Sequence, residues 1–354
     1  MLNFDEYKKA PEPDKREKSE IWEMAIGLQG VDGLKTSEYL VKTAKSNIEG
    51  DITFEEVHKV IDQYYREIGS KKERENRTEE ADKVSARIAE VLSEKTFSFN
   101  PLEYISIHKR LFEGFDFAGR LRDYDIVKDE WVLDGDTVFY ASFQNIMATL
   151  EYDFSQERGF IYKYLSKEEK AHHIAKFVSG IWQIHPFFEG NTRATAVFAI
   201  KYLRKMGYKV NNDLFSEHSW YFRNALVRAN YTNYEKDIYS NTVFLERFFE
   251  NLLIGKENVL RNREMHVSLD VVGDTANKDF DTVNHKNDTV KCKVDTVSQK
   301  ILDIIAINCS VTADEISNQV NISTATIKRR LKILKENGYI ERVGSDKKGS
   351  WKIL

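Results

Sequence analysis

Near the middle of the chain, His185-Pro186-Phe187-Phe188-Glu189-Gly190-Asn191-Thr192-Arg193 brings together the side chains that phosphoryl-group chemistry needs. His185 can take up a proton near neutral pH. Glu189 is a hard oxygen ligand suited to Mg2+, and Arg193 carries a planar fork that matches phosphate oxygens. Gly190 and Asn191 lie where a helix is expected to start, and such a turn delivers backbone N–H groups to an anion. A base, a metal ligand and a phosphate cradle this close together suit phosphoryl or nucleotidyl transfer, which relies mostly on positioning and charge stabilisation. Singly, each has a plainer role: His185 before a proline suits a helix cap, and Glu189 a solvated loop carboxylate. A zinc pair of His185 and Glu189 lacks a common helix face, because Pro186 and Gly190 interrupt it. His172 and His173 point to different faces and suit core or surface roles.

Two helices must hold this loop. Ile174, Phe177, Val178, Ile181 and Trp182 form an apolar stripe over residues 171–184, a helix that must face a core. A second helix follows the loop, with Val197, Ile200 and Leu203 buried and Gly207 as its stop. Upstream, β-forming residues flank Asp134-Gly135 from Trp131 to Tyr140, which predicts a tight hairpin. Leu40, Ala44 and Ile48 form one helix face that Gly50 would end.

The chain has 354 residues with a formal net charge of −4, which suggests two or three domains and leaves any polyanion-binding patch to be local. Cys292 and Cys309 cannot form a disulfide framework, which favours a reducing compartment. The charged N-terminus lacks an apolar signal core, and no apolar run approaches about 18 residues. A cytoplasmic, mostly α-helical protein with no membrane span is expected. Residues 1–20 read as a loose arm and 21–100 as an N-terminal helical region. Residues 101–256 carry the catalytic core. Residues 257–296 read as a polar linker in which Asp-Thr-Val or Asp-Thr-Ala recurs at seven-residue spacing, from Asp274, Asp281, Asp288 and Asp295; with one apolar position per repeat it lacks a coiled-coil seam.

Residues 297–354 read as three helices and a hairpin, the order of a winged helix-turn-helix. Thr312 and Glu315 form a capping box, and the third helix is expected at 324–336. Its Lys328, Arg329, Arg330, Lys332 and Lys335, with Lys347 and Lys348 on the wing, are candidates for DNA contact; a solvated face or a protein-docking role is the alternative.

The central stretch resembles the Fic family motif, His-x-Phe-x-(Asp/Glu)-Gly-Asn-(Gly/Lys)-Arg followed by a further Arg: His185, Phe187, Glu189, Gly190, Asn191 and Arg193 match. The Asp-Gly hairpin resembles the family's flap, and Ser46-Asn47-Ile48-Glu49-Gly50 resembles the inhibitory helix that some members carry. The resemblance spans about residues 21–255. It implies transfer of AMP from ATP, with Mg2+, to a Ser, Thr or Tyr hydroxyl of a target protein, self-modification included. His185 would be the general base and Glu189 the Mg2+ ligand. Phe188, Gly190, Asn191, Thr192 and Arg193 would hold the nucleotide, with Asn191 and the loop amides on the α-phosphate and Arg193 on the β-phosphate. Phe187 would anchor the loop, and Val138, Phe139 and Tyr140 would pair with the target as an added strand. Thr192 replaces the usual Gly or Lys and is small enough for the same loop. Ala196 stands where the second Arg would be, and Lys45 where the inhibitory motif has Ser or Thr. Glu49 would therefore reach Arg193, the only Arg left in the loop. The other reading is a DNA-binding regulator whose core senses a nucleotide or partner; self-association is left open.

Overall fold

Apolar side chains at three- and four-residue spacing give most helices one face to bury, and the chain folds by stacking those faces. The computed structural model describes residues 4–8, 13–68, 77–210, 214–268, 290–292, 296–320, 324–336, 339–343 and 349–353. In the first unit the main helices are α1 (Pro13–Gly27), α2 (Glu38–Glu49), α3 (Phe54–Ile68), α4 (Thr78–Ser93) and α5 (Pro101–Leu111). Strand β1 (Ile126–Lys128) precedes α6 (Ile146–Gly159), α7 (Lys167–Ile184), α8 (Asn191–Lys205), α9 (Ser219–Ala229) and α10 (Val243–Ile254). After β2 (Val290–Cys292) come α11 (Thr296–Ile307), α12 (Ala313–Val320), α13 (Thr324–Glu336), β3 (Ile340–Val343) and β4 (Ser350–Ile353). The protein is mostly helical, with β1 antiparallel to β2 and β3 antiparallel to β4.

One large core runs through the first unit, and the central α8 is buried along nearly its whole length, from Asn191 to Leu203. Phe198 on α8 meets rings from three sides, Phe97, Phe99 and Phe154. The C-terminal unit has its own core: Ile301, Ile305, Val311, Ile316, Ile327, Leu331, Leu334 and Ile340. The Thr312–Glu315 capping box forms at the start of α12, with the Thr312 N–H donating to Glu315 at 2.7 Å. Lys347 and Lys348 of the expected wing lie outside the described residues.

Three expectations are corrected. Part of the expected loose arm is folded: Phe4 and Tyr7 are buried, and α1 opens on Pro13, whose missing N–H costs nothing at a first helical position. No β-hairpin forms about Asp134-Gly135. Asp134 and Gly135 do take left-handed φ values of 58° and 84°, but Trp131–Leu133 winds into a 3-10 turn. The core draws in both Val132 and Leu133, which an alternating strand would send to opposite faces. Val138–Tyr140 makes no strand pairing. Finally, the polar linker does not begin at 257. Asn262–Met265 forms a 3-10 turn with Met265 buried, and the Val267 N–H donates to the Val132 carbonyl at 3.0 Å. All four repeat aspartates lie outside the described residues.

Candidate active site

The motif loop joins α7 to α8, and much of its backbone, with the Asn191 and Thr192 side chains, is used to hold its shape. Ser166 and Glu169 cap the start of α7 reciprocally. At the other end His185 takes a left-handed backbone conformation, φ 49°. The last carbonyls of a helix lack partners within it, and buried Arg122 supplies them. Its Nε donates to the His185 carbonyl at 2.8 Å and its Nη2 to Ile184 at 3.2 Å and to Ala141. The Arg122 N–H meets the Pro186 carbonyl at 2.8 Å.

Asn191 closes the loop on itself. Its Oδ1 accepts the Phe187 N–H at 2.9 Å and its Nδ2 donates to the Phe187 carbonyl at 2.8 Å. Thr192 Oγ1 accepts the Trp182 indole N–H at 3.0 Å. The Asn191 and Thr192 side chains thus brace the loop, and what they leave for an anion is their backbone. Gly190, φ 74°, is required twice over: a Cβ there would stand 2.2 Å from the Phe112 ring. His108 on α5 completes the frame. Its ring stacks on Phe187 at 3.6 Å, its Nδ1 accepts the Gly119 N–H at 3.0 Å, and its Nε2 donates to the Glu189 carbonyl at 2.9 Å. Burial pushes its pKa down to about 3, so it is a neutral prop.

His185 is buried, at 2% exposure, beneath Tyr140, whose ring centroid is 4.3 Å away. Burial first, and then the charges of Lys128, Arg122 and Arg223, push its pKa well below the ordinary histidine value, while the Trp182 carbonyl opposes the shift. Neither ring nitrogen makes a well-formed hydrogen bond. A neutral imidazole held by no more than a weak contact to the Trp182 carbonyl, in a cationic pocket, is a base held ready.

Arg193 is wholly buried, and it is already paired. Its Nε lies 2.7 Å from Asp32, its Nη2 2.9 Å from Glu80, and its Nη1 donates to Gln29 at 3.2 Å. The guanidinium also sits over the Phe112 ring at 4.7 Å. Burial resists ionisation of Asp32, but Arg193, Lys128, Arg223 and Arg77 together keep its carboxyl below the usual range. Burial likewise opposes the charge on Arg77, and Glu80, Asp32 and Glu189 hold its pKa above the ordinary value. A second buried pair, Arg223 to Glu130 at 2.8 Å, adjoins them, with the Tyr140 hydroxyl donating to Glu130 at 3.2 Å.

The expected Glu49–Arg193 contact is absent. Glu49 ends α2 exposed to solvent and pairs with Lys15 at 2.6 Å, while Asp32 and Glu80 take the guanidinium. Phe188 is half-buried beside Tyr124, with ring centroids 5.3 Å apart. Among the expected flap residues Val138 is buried, Phe139 is 74% exposed, and only Tyr140 touches His185. Among the described residues no group of three or more His, Cys, Asp or Glu side chains could hold a metal alone. Glu189 is instead a single carboxylate near the helix start, the donor set of an Mg2+ ion that takes its other ligands from substrate phosphates and water. On α13, Lys328, Lys332 and Lys335 are exposed at i, i+4, i+7, a row beside that of buried Ile327, Leu331 and Leu334; Arg330 is partly buried, and the Arg329 side chain lies outside the described residues.

Gln29, Asp32, Arg77, Glu80, His108, Arg122, Lys128, Glu130 and Arg223 are not legible as site residues in the sequence. They come from five separate stretches of chain, and no spacing links them to the motif. The usable signal is a single loop Arg without its usual second Arg, which on burial needs carboxylate partners.

Residues 98–203 match the Fic/DOC family model and residues 294–341 a winged helix-turn-helix DNA-binding model. No curated protein matches the chain. Among solved structures, the BepC protein of Bartonella tribocorum, a VirB-translocated effector crystallised with bound AMPPNP, is 24% identical. That match covers 48% of this chain and 82% of that one, with a TM-score of 0.37. The N-terminal Fic domain of a Bartonella effector from strain AR 15-3 is 20% identical, covering 49% and 81%, with a TM-score of 0.38. A Fic family protein from Desulfovibrio desulfuricans G20 is 12% identical, covering 99% and 90%, with a TM-score of 0.46. The chain carries a Fic/DOC domain, built around the loop that begins at His185, and a C-terminal winged helix-turn-helix unit.

Proposed function

We propose that the chain is a protein adenylyltransferase that moves AMP from ATP to a hydroxyl side chain of a target protein. The observation that carries this reading is His185: neutral by burial, without a well-formed hydrogen bond at either ring nitrogen, and set at the end of α7, from which the braced loop leads to the N-terminus of α8. The target oxygen would bond to the α-phosphorus as the bond to the pyrophosphate oxygen breaks, and the hydroxyl proton would pass to His185. The backbone N–H groups at the start of α8 would hold phosphate oxygens. The polyphosphate would take Arg193 over from Asp32 and Glu80. Mg2+, when bound, would neutralise phosphate charge beside Glu189. Tyr140 covers His185, so residues 138–140 must lift as the target hydroxyl enters.

The test is transfer of α-labelled ATP into cell extract and into the chain itself, read by gel and by intact mass. Wild type should transfer label, and His185→Ala should lose it while still binding ATP. Equal labelling by both would remove His185 from the mechanism.

The winged-helix match and the Lys328–Lys332–Lys335 face support a second activity, DNA binding through α13. A mobility shift that weakens steeply with salt, without transferred label, would make the regulator reading the primary one.

A further inference from the structure

The linker returns to the site. Val290-Lys291-Cys292 lies antiparallel on β1, pairing Ile126 with Cys292, Val127 with Lys291 and Lys128 with Val290. That edge adjoins the motif loop. Leu121 bridges to Phe187, the Arg122 N–H meets Pro186, Tyr124 packs on Phe188, and the chain then extends directly into β1. Lys128, at the end of β1, is the strongest positive charge acting on His185. The segment laid on β1 therefore pairs with a strand that continues directly from chain packed on the motif loop.

We propose that the linker segment Val290–Cys292 is an internal competitor for the target: β1, rather than the expected Val138–Tyr140, is the edge to which a target segment is added as a strand, and the linker occupies it in cis. This deepens the transferase reading and rests on it. The paired residues carry no hydroxyl, so the docked segment blocks the edge and offers nothing to modify at those positions. The sequence says why this repeat docks. Asp-Thr-Val at 288–290 runs into Lys-Cys-Lys-Val, an alternation of basic and apolar residues that suits a strand. The repeats at 274 and 281 run into Asn-Lys-Asp-Phe and Asn-His-Lys-Asn, rich in residues that strands disfavour. A tethered segment competes at an effective concentration on the order of millimolar, well above that of most free targets.

The Lys128 N–H is already donated to Thr137 Oγ1 at 3.1 Å. By the alternation of antiparallel ladders, the cross-strand bonds then belong to the Val127–Lys291 pair. The experiment uses the full chain with Lys291→Pro, which removes that N–H, and a second variant with residues 288–294 replaced by Gly and Ser at equal length. Hydrogen exchange at the Val127 amide, the one the cross-strand pair protects, should quicken about tenfold or more in both variants. A labelled peptide of residues 288–294 should bind both at least about tenfold more tightly than wild type, because their edge is open. Transfer to a target should rise in parallel. Unchanged exchange in both variants, or equal peptide binding by all three chains, would overturn the proposal. If exchange and peptide binding respond but no chain transfers label, the docking stands and the transferase reading falls. If label is transferred without those responses, the transferase reading stands and the docking falls.

Discussion

At the scale of single residues, burial has set the charge states of the site. Burial pushes His185 and His108 well below the ordinary histidine value, His108 to about 3. A group whose folded pKa is depressed gives stability that is whole above its unfolded pKa and is lost as pH falls toward the folded one. Below about pH 6.5 the unfolded chain binds protons that the native histidines refuse, so each costs up to about 1.4 kcal/mol per pH unit. For His108 the window runs from about 6.5 down to about 3. Urea midpoints measured from pH 7.5 to 5 should fall, and His108→Gln, which keeps the donor to Glu189, should flatten that slope. An equal slope in the variant would mean that His108 titrates normally. The same shift keeps His185 a base on the acid side, so transfer should show no loss due to His185 between pH 7 and 6. Arg193 makes a different prediction. Removing one partner of a buried ion pair typically costs about 3–5 kcal/mol, so Asp32→Asn should lower the melting temperature. If phosphate takes over that guanidinium, ATP should raise the melting temperature of Asp32→Asn more than that of wild type. Equal ATP shifts would exclude displacement of Asp32.

At the scale of elements, the loop is only as exact as the packing of α5 against α8. Phe112, just past the end of α5, meets both the Gly190 backbone and the Arg193 guanidinium. Gly190→Ala would drive a methyl into that ring and force an L side chain into left-handed φ, two costs of about 1–3 kcal/mol each. The melting temperature should fall and ATP binding should weaken with it. A stable Gly190→Ala chain with normal ATP binding would show that α5 and α8 can move apart freely. Ser166 gives a milder control: its loss costs about 1 kcal/mol through the α7 cap alone, far from the loop, and should leave the KM for ATP unchanged.

At the scale of the molecule, the Fic domain and the winged helix have separate cores. Among the described residues eight buried apolar side chains form the second core, a small unit with modest reserve. Residues 296–354 should fold alone and melt below the first unit, and a chain ending at 268 should keep the melting temperature of that unit within about 2 °C. A single shared transition lost on truncation would mean that the two cores fold as one. Lys332→Ala and Lys328→Ala, exposed on α13, should each reduce the salt slope of any DNA binding by about one.

Short-range physics was legible in the chain itself. The stripe from Ile174 to Trp182, the stop at Gly207, the helix ending at Gly50 and the third tail helix at 324–336 all form as read, because periodicity and caps act within a few residues. The motif was legible for the same reason, since its nine residues are contiguous. What only the tertiary structure decided is which groups meet across long loops. Glu49 and Glu80 are both carboxylates near helix ends, and nothing local says that Glu80 should reach Arg193, 113 residues away, while Glu49 turns to Lys15. The Asp-Gly turn was readable, yet the strand beside it was lost because the core draws in Val132 and Leu133 together. The edge strand formed instead at Ile126–Lys128, where a distant linker segment supplies its partner. Buried charges and strand edges are satisfied by whatever the packed core brings near, and sequence spacing carries no record of that.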